Sequence, residues 1–278
     1  MSVCAPNIKI NDHHSCFDYD ELKEIALAFN IYIQTNKVYG SGDVCIPSKL
    51  IDINSKNKKE LWYSIYNRLK PICKYEYCWV DLDFLSKIKD PVLREKINYF
   101  TFKPKMTLKI DSWLNTRDIN NVLQQYQEFD LSFKFLGALP SDFYKVIRVN
   151  YNDIYNYKKI GIVFNLDDHT QPGSHWVSFL IDNTKKTIEY YDSAGRQPNK
   201  NINEFIRRVR NFLKKNGDNY VVKYNNLKHQ YKNSECGVYA IYFIIQRLLG
   251  YNFDNISKNI ITDDEMNKFR RYIFRPRV

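Results

Sequence analysis

Apolar positions recur at two different spacings along this 278-residue chain, and the change of spacing divides it. In Asp18 to Asn30, Leu22, Ile25, Ala26 and Phe29 fall on one helical face. Lys58 to Leu69 repeats the pattern with Leu61, Ile65 and Leu69 inward, and Pro71 closes it. A loop is expected between these helices at Gly40, Ser41 and Gly42. Beyond Lys103-Pro104-Lys105, Ile119, Val122, Leu123 and Tyr126 predict a further helix, with Asn115 or Thr116 as N-cap. From Lys159 onward the period becomes that of strands. Residues 160–166, 176–182, 187–192 and 219–224 are short runs rich in β-branched and aromatic side chains. Asp182-Asn183-Thr184, followed by two lysines, joins the second and third runs as a hairpin. Asn203 to Lys215 is a basic amphipathic helix that turns Phe205, Ile206, Val209, Phe212 and Leu213 inward, with Gly217 just past its end. Thr262-Asp263-Asp264-Glu265 reads as the capping box of a C-terminal helix. Strands followed by helices around a hairpin predict an α+β fold, a central mixed or antiparallel sheet packed by helices. Residues 1–105 are expected to form a mostly helical N-terminal region, and residues 106–278 the domain that carries the chemistry.

Composition narrows the class. Hydrophobic residues make up 44% of the chain and aromatic ones 15%, which is a folding composition and not a disordered one. No apolar run approaches the roughly 20 residues of a membrane helix, and the N-terminus lacks a secretion signal pattern, so a cytosolic protein with no membrane contact is expected. Six cysteines in a chain of this length do not make a disulfide scaffold, and reduced thiols are the expectation. Two groupings resemble metal half-sites, Cys73 with Cys78, and Cys4, His13, His14 and Cys16. Structural zinc needs two paired half-sites, so neither is taken as a metal site, and no cofactor is expected. The net charge of +11 is spread over several basic runs. With no helix-turn-helix, zinc-finger or RNA-binding signature, these read as solvated surface, leaving at most a weak nucleic-acid contact.

The candidate chemistry centres on Asn225 to Gly250. A polar run ends in Ser234-Glu235-Cys236-Gly237, and the apolar helical pattern of Val238, Ile241, Ile245, Leu248 and Leu249 follows at once. Cys236 therefore opens a helix, where unpaired N–H groups and the helix dipole favour a thiolate. A lone cysteine is more often a buried packing residue. It becomes a nucleophile only with a base and a group that orients the base. His175 heads one strand of the expected hairpin and Asp192 ends the other, so the two come side by side, and Asp192 can hold the imidazole toward Cys236. His169 and His229 are the other histidines available. Gln230, upstream in the loop, can supply an amide N–H to an oxyanion together with the backbone N–H of Cys236.

The segments GSHWVSFLID, YYDSAG, HQYKNSECGVYAIYF and DSWLNTRDIN resemble the Ulp1/adenain-like cysteine proteases, over about residues 105–250. Within that family the chain looks most like the forms carried by large cytoplasmic DNA viruses, relatives of the African swine fever virus polyprotein protease, which bear an extension before the catalytic core. The resemblance implies a papain-like/adenain-like core with His175, Asp192 and Cys236 as triad and Gln230 as oxyanion residue. It also implies that Trp113 and Trp176 sandwich the Gly-Gly of a protein substrate. Only residues without side chains thread such a slot. The activity so implied is a cysteine endopeptidase that processes viral structural polyproteins after Gly-Gly-type sites, in host cytoplasm at assembly sites and in the virion. Deconjugation of SUMO or another ubiquitin-like modifier is the alternative. An acetyltransferase on the same scaffold is a weaker reading, since an acetyl donor needs no narrow channel of paired tryptophans. So is an inactive binding module, since every catalytic group is retained.

Overall fold

The computed structural model describes residues 15–36, 50–55, 57–74, 76–100, 103–104 and 106–274. The expected loop at Gly40–Gly42, and Cys4, His13 and His14, lie outside the described residues. Two compact units divide the chain, residues 1–103 and 104–278.

The first unit contains α1 (Tyr19–Asn36), α2 (Lys58–Leu69), the single turn α3 (Glu76–Trp79) and α4 (Pro91–Phe100). Leu22, Ile25, Ala26 and Phe29 are all buried, and Ile33 continues their stripe, which carries α1 past the expected end at Asn30. They join Leu61, Ile65, Leu69 and Trp79 in one core. Glu76 lies inside it, accepting from the Cys16 backbone N–H at 2.9 Å and from the Trp62 indole. Burial holds its pKa above the usual value in spite of these bonds. The expectation of reduced thiols fails at Cys73 and Cys78, which are joined as a disulfide with their Cα atoms 5.9 Å apart. The chain turns after α2 and coils into α3, which brings the pair within the span of roughly 4.4–6.8 Å that the bond requires.

The second unit runs α5 (Thr116–Phe129), β1 (Phe133–Pro140), α6 (Phe143–Val146), β2 (Lys159–Asn165), β3 (Trp176–Asp182) and β4 (Thr187–Tyr191). It continues with α7 (Lys200–Lys215), β5 (Val221–Tyr224), α8 (Cys236–Leu248), α9 (Phe253–Lys258) and α10 (Asp263–Ile273). The strands lie in the order β1-β2-β3-β4-β5, with the two outer pairs parallel and the inner pairs antiparallel, so the sheet is mixed. Asn115 caps α5 in a full capping box with Asp118, and Thr262 does the same for α10 with Glu265.

Every residue of β3 is buried, because helices cover both faces. Val177, Phe179 and Ile181 face the core that contains Phe205, Val209 and Leu213 of α7. The alternate positions meet α8: the Ser178 hydroxyl donates to Ala240 O at 2.9 Å, and Arg247 pairs with Asp182 and with Glu189 of β4. A helix lying between sheet and neighbours is apolar nearly all round, and α8 is. Strand β1 was not foreseen from the sequence. Gly137 at φ +123° and a register shift between Phe135 and Ala138 interrupt its alternation. Its free edge is covered: the Phe135 N–H donates to Gln127 Oε1 and the Ala138 N–H to Asn120 Oδ1, both at 2.8 Å and both from α5.

Candidate active site

The site assembles where β3 begins, β4 ends and α8 begins. Ser178 pairs with Tyr191 in the hairpin, so His175 and Asp192 stand just past the last paired rung. His175 Nε2 lies 2.5 Å from Asp192 Oδ1, which also accepts from the Ala194 N–H at 2.8 Å. With Nε2 committed, Nδ1 is the nitrogen left for Cys236, which lies near enough to raise the pKa of the ring. Cys236 is buried as the first residue of α8. Burial is the largest single influence on His175 and pulls its pKa down. The hydrogen bond to Asp192, its charge and the neighbouring Cys236 outweigh it, so the pKa stands at about 9. The imidazolium form is thereby held at neutral pH, the form that pairs with a thiolate. His169 is spent on Asp142, 2.9 Å away. His229 is fully buried, facing Ser257 O and the Ile261 N–H.

Asp192 is itself fixed by a residue not singled out from the sequence. Asn225 accepts from the Asp192 N–H at 2.8 Å and donates to Asp192 O at 2.7 Å, a reciprocal clamp in which Asn225 is buried. The same contact leads on to Gln230. Ser193 O accepts from the N–H groups of His229 and Gln230, and the Ser193 hydroxyl donates to Gln230 Oε1 at 2.7 Å. Gln230 Nε2 donates to Lys232 O at 2.8 Å. Because a carbonyl only accepts, this contact fixes which end of the amide is nitrogen, and the second N–H of that nitrogen remains for another acceptor. The two segments approach so closely at Gly195 that a Cβ there would lie 2.9 Å from Leu227 C and Lys228 N, and its φ of +70° also suits glycine.

Trp113 and Trp176 line one cleft, with Leu114, Asn115, Ala138, Pro140 and Gly173 among its other walls. Trp113 is 46% exposed and Trp176 is buried. The Trp176 indole N–H donates to Leu114 O at 2.8 Å. Leu114 packs against Gly237, where a Cβ would come within 3.0 Å of its side chain. The cleft wall and the first turn of α8 are thus in contact next to Cys236. An imidazolium between a carboxylate and a helix-opening thiol, beside a cleft walled by tryptophan, suits nucleophilic attack on an acyl group.

Residues 112–276 match the Ulp1 protease family, C-terminal catalytic domain. The chain belongs to that family and is a cysteine-type peptidase. A protein of Acanthamoeba polyphaga mimivirus named as a thiol protease is 35% identical over 291 residues, covering 99% of this chain and 94% of that one. A cysteine protease of African swine fever virus is 36% identical over 120 residues, 41% of this chain and 43% of its own. Its counterpart in another isolate carries the name SUMO-1 cysteine protease. The crystal structure of the African swine fever virus protease superposes with a TM-score of 0.62 at 22% identity, over 99% of this chain and 96% of that one, and so shares its fold.

Proposed function

We propose that the protein is an endopeptidase that cleaves after Gly-Gly-type sites in viral structural polyproteins, with Cys236 as nucleophile. His175 takes the thiol proton, the thiolate attacks the scissile carbonyl, and the imidazolium then protonates the leaving amine. Water hydrolyses the resulting thioester with His175 as base. Asp192 holds the ring. The free N–H of Gln230 and the backbone N–H of Cys236 receive the oxyanion. The observation that carries the Gly-Gly preference is the shared cleft of Trp113 and Trp176, in which a side chain on the substrate backbone would meet an aromatic wall. Action at assembly sites in host cytoplasm and in the virion belongs to the same proposal, as does a weak nucleic-acid contact through the basic surface.

A peptide series tests it. Cleavage of a Gly-Gly-containing peptide is expected, with large losses when either glycine becomes alanine. Equal turnover of the alanine peptides sinks the proposal. Deconjugation of a ubiquitin-like modifier is the second reading, favoured by the name of the African swine fever virus relatives. Incubation with modifier conjugates and with candidate polyproteins side by side separates the two. DNA added at low and at high salt addresses the basic surface: turnover indifferent to both removes nucleic acid as a partner.

A further inference from the structure

Helix α10 contributes nothing to the triad, yet one of its faces is bonded along the loop that delivers Cys236. Asp263, Asn267 and Arg270 sit at i, i+4 and i+7, the spacing of a single helical stripe. Asp263 Oδ2 accepts from the N–H groups of Tyr231 and Lys232, both at 2.9 Å. Asn267 Nδ2 donates to Glu235 Oε1 at 3.2 Å. Arg270 Nη2 donates to Ser234 O at 2.6 Å, while its Nη1 reaches Ile110 O at 2.9 Å and also Ser112 O. One guanidinium therefore ties the chain just ahead of Cys236 to the chain just ahead of Trp113. The Trp176 indole holds Leu114 O on the other side, so Trp113 is pinned through both of its neighbours.

Arg270 is fully buried, and among the described residues no carboxylate lies within ion-pair distance of it. A permanent cation inside a protein is costly unless something requires it there. Burial works against its charge, Glu235 and Asp111 are near enough to attract it, and three backbone carbonyls take hydrogens from its two terminal nitrogens. A fork with five donors reaches three carbonyls on two separate segments, which the point charge of a lysine cannot do.

We propose that Arg270 is a positioning residue for peptide hydrolysis, which sets the Trp113 wall of the substrate cleft at a fixed distance from the Cys236 nucleophile. This rests on the functional reading above, since it presumes that the cleft holds the acyl side of the substrate. Arg270 touches neither substrate nor reacting atoms in this role. It acts through Ser112 and Ser234.

The test compares full-length wild type with Arg270→Lys, Asn267→Ala and, as a surface control, Lys268→Met. Three readouts are taken: kcat and KM on a Gly-Gly peptide, alkylation of Cys236 by iodoacetamide, and backbone hydrogen exchange. Iodoacetamide needs the thiolate but not the cleft. Arg270→Lys is expected to lose 10- to 100-fold in kcat/KM, mostly in kcat, because a displacement on the order of 1 Å suffices for such a loss. Alkylation should stay within about twofold of wild type. Exchange should rise in residues 110–114 and 231–235 together while β3 stays protected. Asn267→Ala, which gives up one neighbouring bond, should show the same pattern more weakly and serves if the Lys variant does not fold. Wild-type kcat and KM in Arg270→Lys would overturn the proposal, as would alkylation falling in step with hydrolysis, or exchange rising everywhere alike. Failure of the wild type on Gly-Gly peptides would strike the functional reading instead, and the exchange pattern would still report on Arg270.

Discussion

Among single residues, Cys236→Ala and His175→Ala should each lower kcat by roughly 10⁶-fold, the scale on which members of a catalytic triad act, with melting temperature nearly unchanged. Peptide turnover with circular dichroism on the same samples checks both. The pH dependence follows from His175. Its pKa is raised from 6.5 to about 9, so the stabilisation from its charged contacts is complete below about 6.5 and is lost as pH rises through about 9. Turnover that needs the imidazolium as acid should decline on the same high-pH limb. Asp192→Asn removes the charge but keeps an oxygen for the ring, so it should cost less than His175→Ala and draw the limb down toward 6.5. A limb that stays put in the pH–rate profile would show that Asp192 does not set the state of the ring. Adjacency of His175 and Asp192 was legible in the sequence because strand ends in a hairpin must meet. Asn225 and Arg270 were not legible, since each works on backbone atoms of distant segments, and no local spacing announces such a contact.

Secondary-structure elements show the same division. Helices with clean apolar stripes and side-chain caps, α2, α5 and α10 among them, could be read directly, and so could the β3–β4 hairpin. Strand β1 could not, because a bulge beside Gly137 breaks its alternation. The glycines at the junctions between elements carry predictions. Gly195→Ala sets a Cβ against the Leu227–Lys228 backbone in a left-handed conformation and should cost about 1–3 kcal/mol, measurable by denaturant unfolding. Gly237→Ala pushes on Leu114, which can yield only by shifting the chain that carries Trp113. It should cost about 1–2 kcal/mol and slow peptide cleavage more than it slows alkylation of Cys236. Equal slowing of both would mean that the damage lies at the thiol itself.

For the whole molecule, the two units are built on different physics. The first gathers an aromatic core around a buried carboxylate and bears a disulfide, whereas the second hangs its site on a sheet covered on both faces. In the second, Arg247 joins α8 to β3 and β4 through Asp182 and Glu189, with all three side chains buried. Arg247→Met strands two carboxylates in the interior and should destabilise by about 3–5 kcal/mol, a fall in melting temperature on the order of 10 °C. A melt within a few degrees of wild type would show that water reaches the pair. The α+β class was legible from the switch of hydrophobic period, whereas the sequence left the sheet as mixed or antiparallel, and the parallel outer pairs decide for mixed. The Cys73–Cys78 bond was not, because compartment arguments describe what thiols usually do and not where a turn happens to bring two of them.

The amide side chains of Asn120 and Gln127 occupy backbone donors on the outer edge of β1 that would otherwise be open to another strand. Two polar side chains on one helix thus act as a guard against self-association, at an edge flanked by the exposed Leu131 and Leu136. The double substitution Asn120→Leu with Gln127→Leu should leave the Cys236 site intact at high dilution, yet make the protein form sheet-rich aggregates as its concentration rises. Light scattering against concentration measures this. A crowded setting would penalise the unguarded chain long before its chemistry failed.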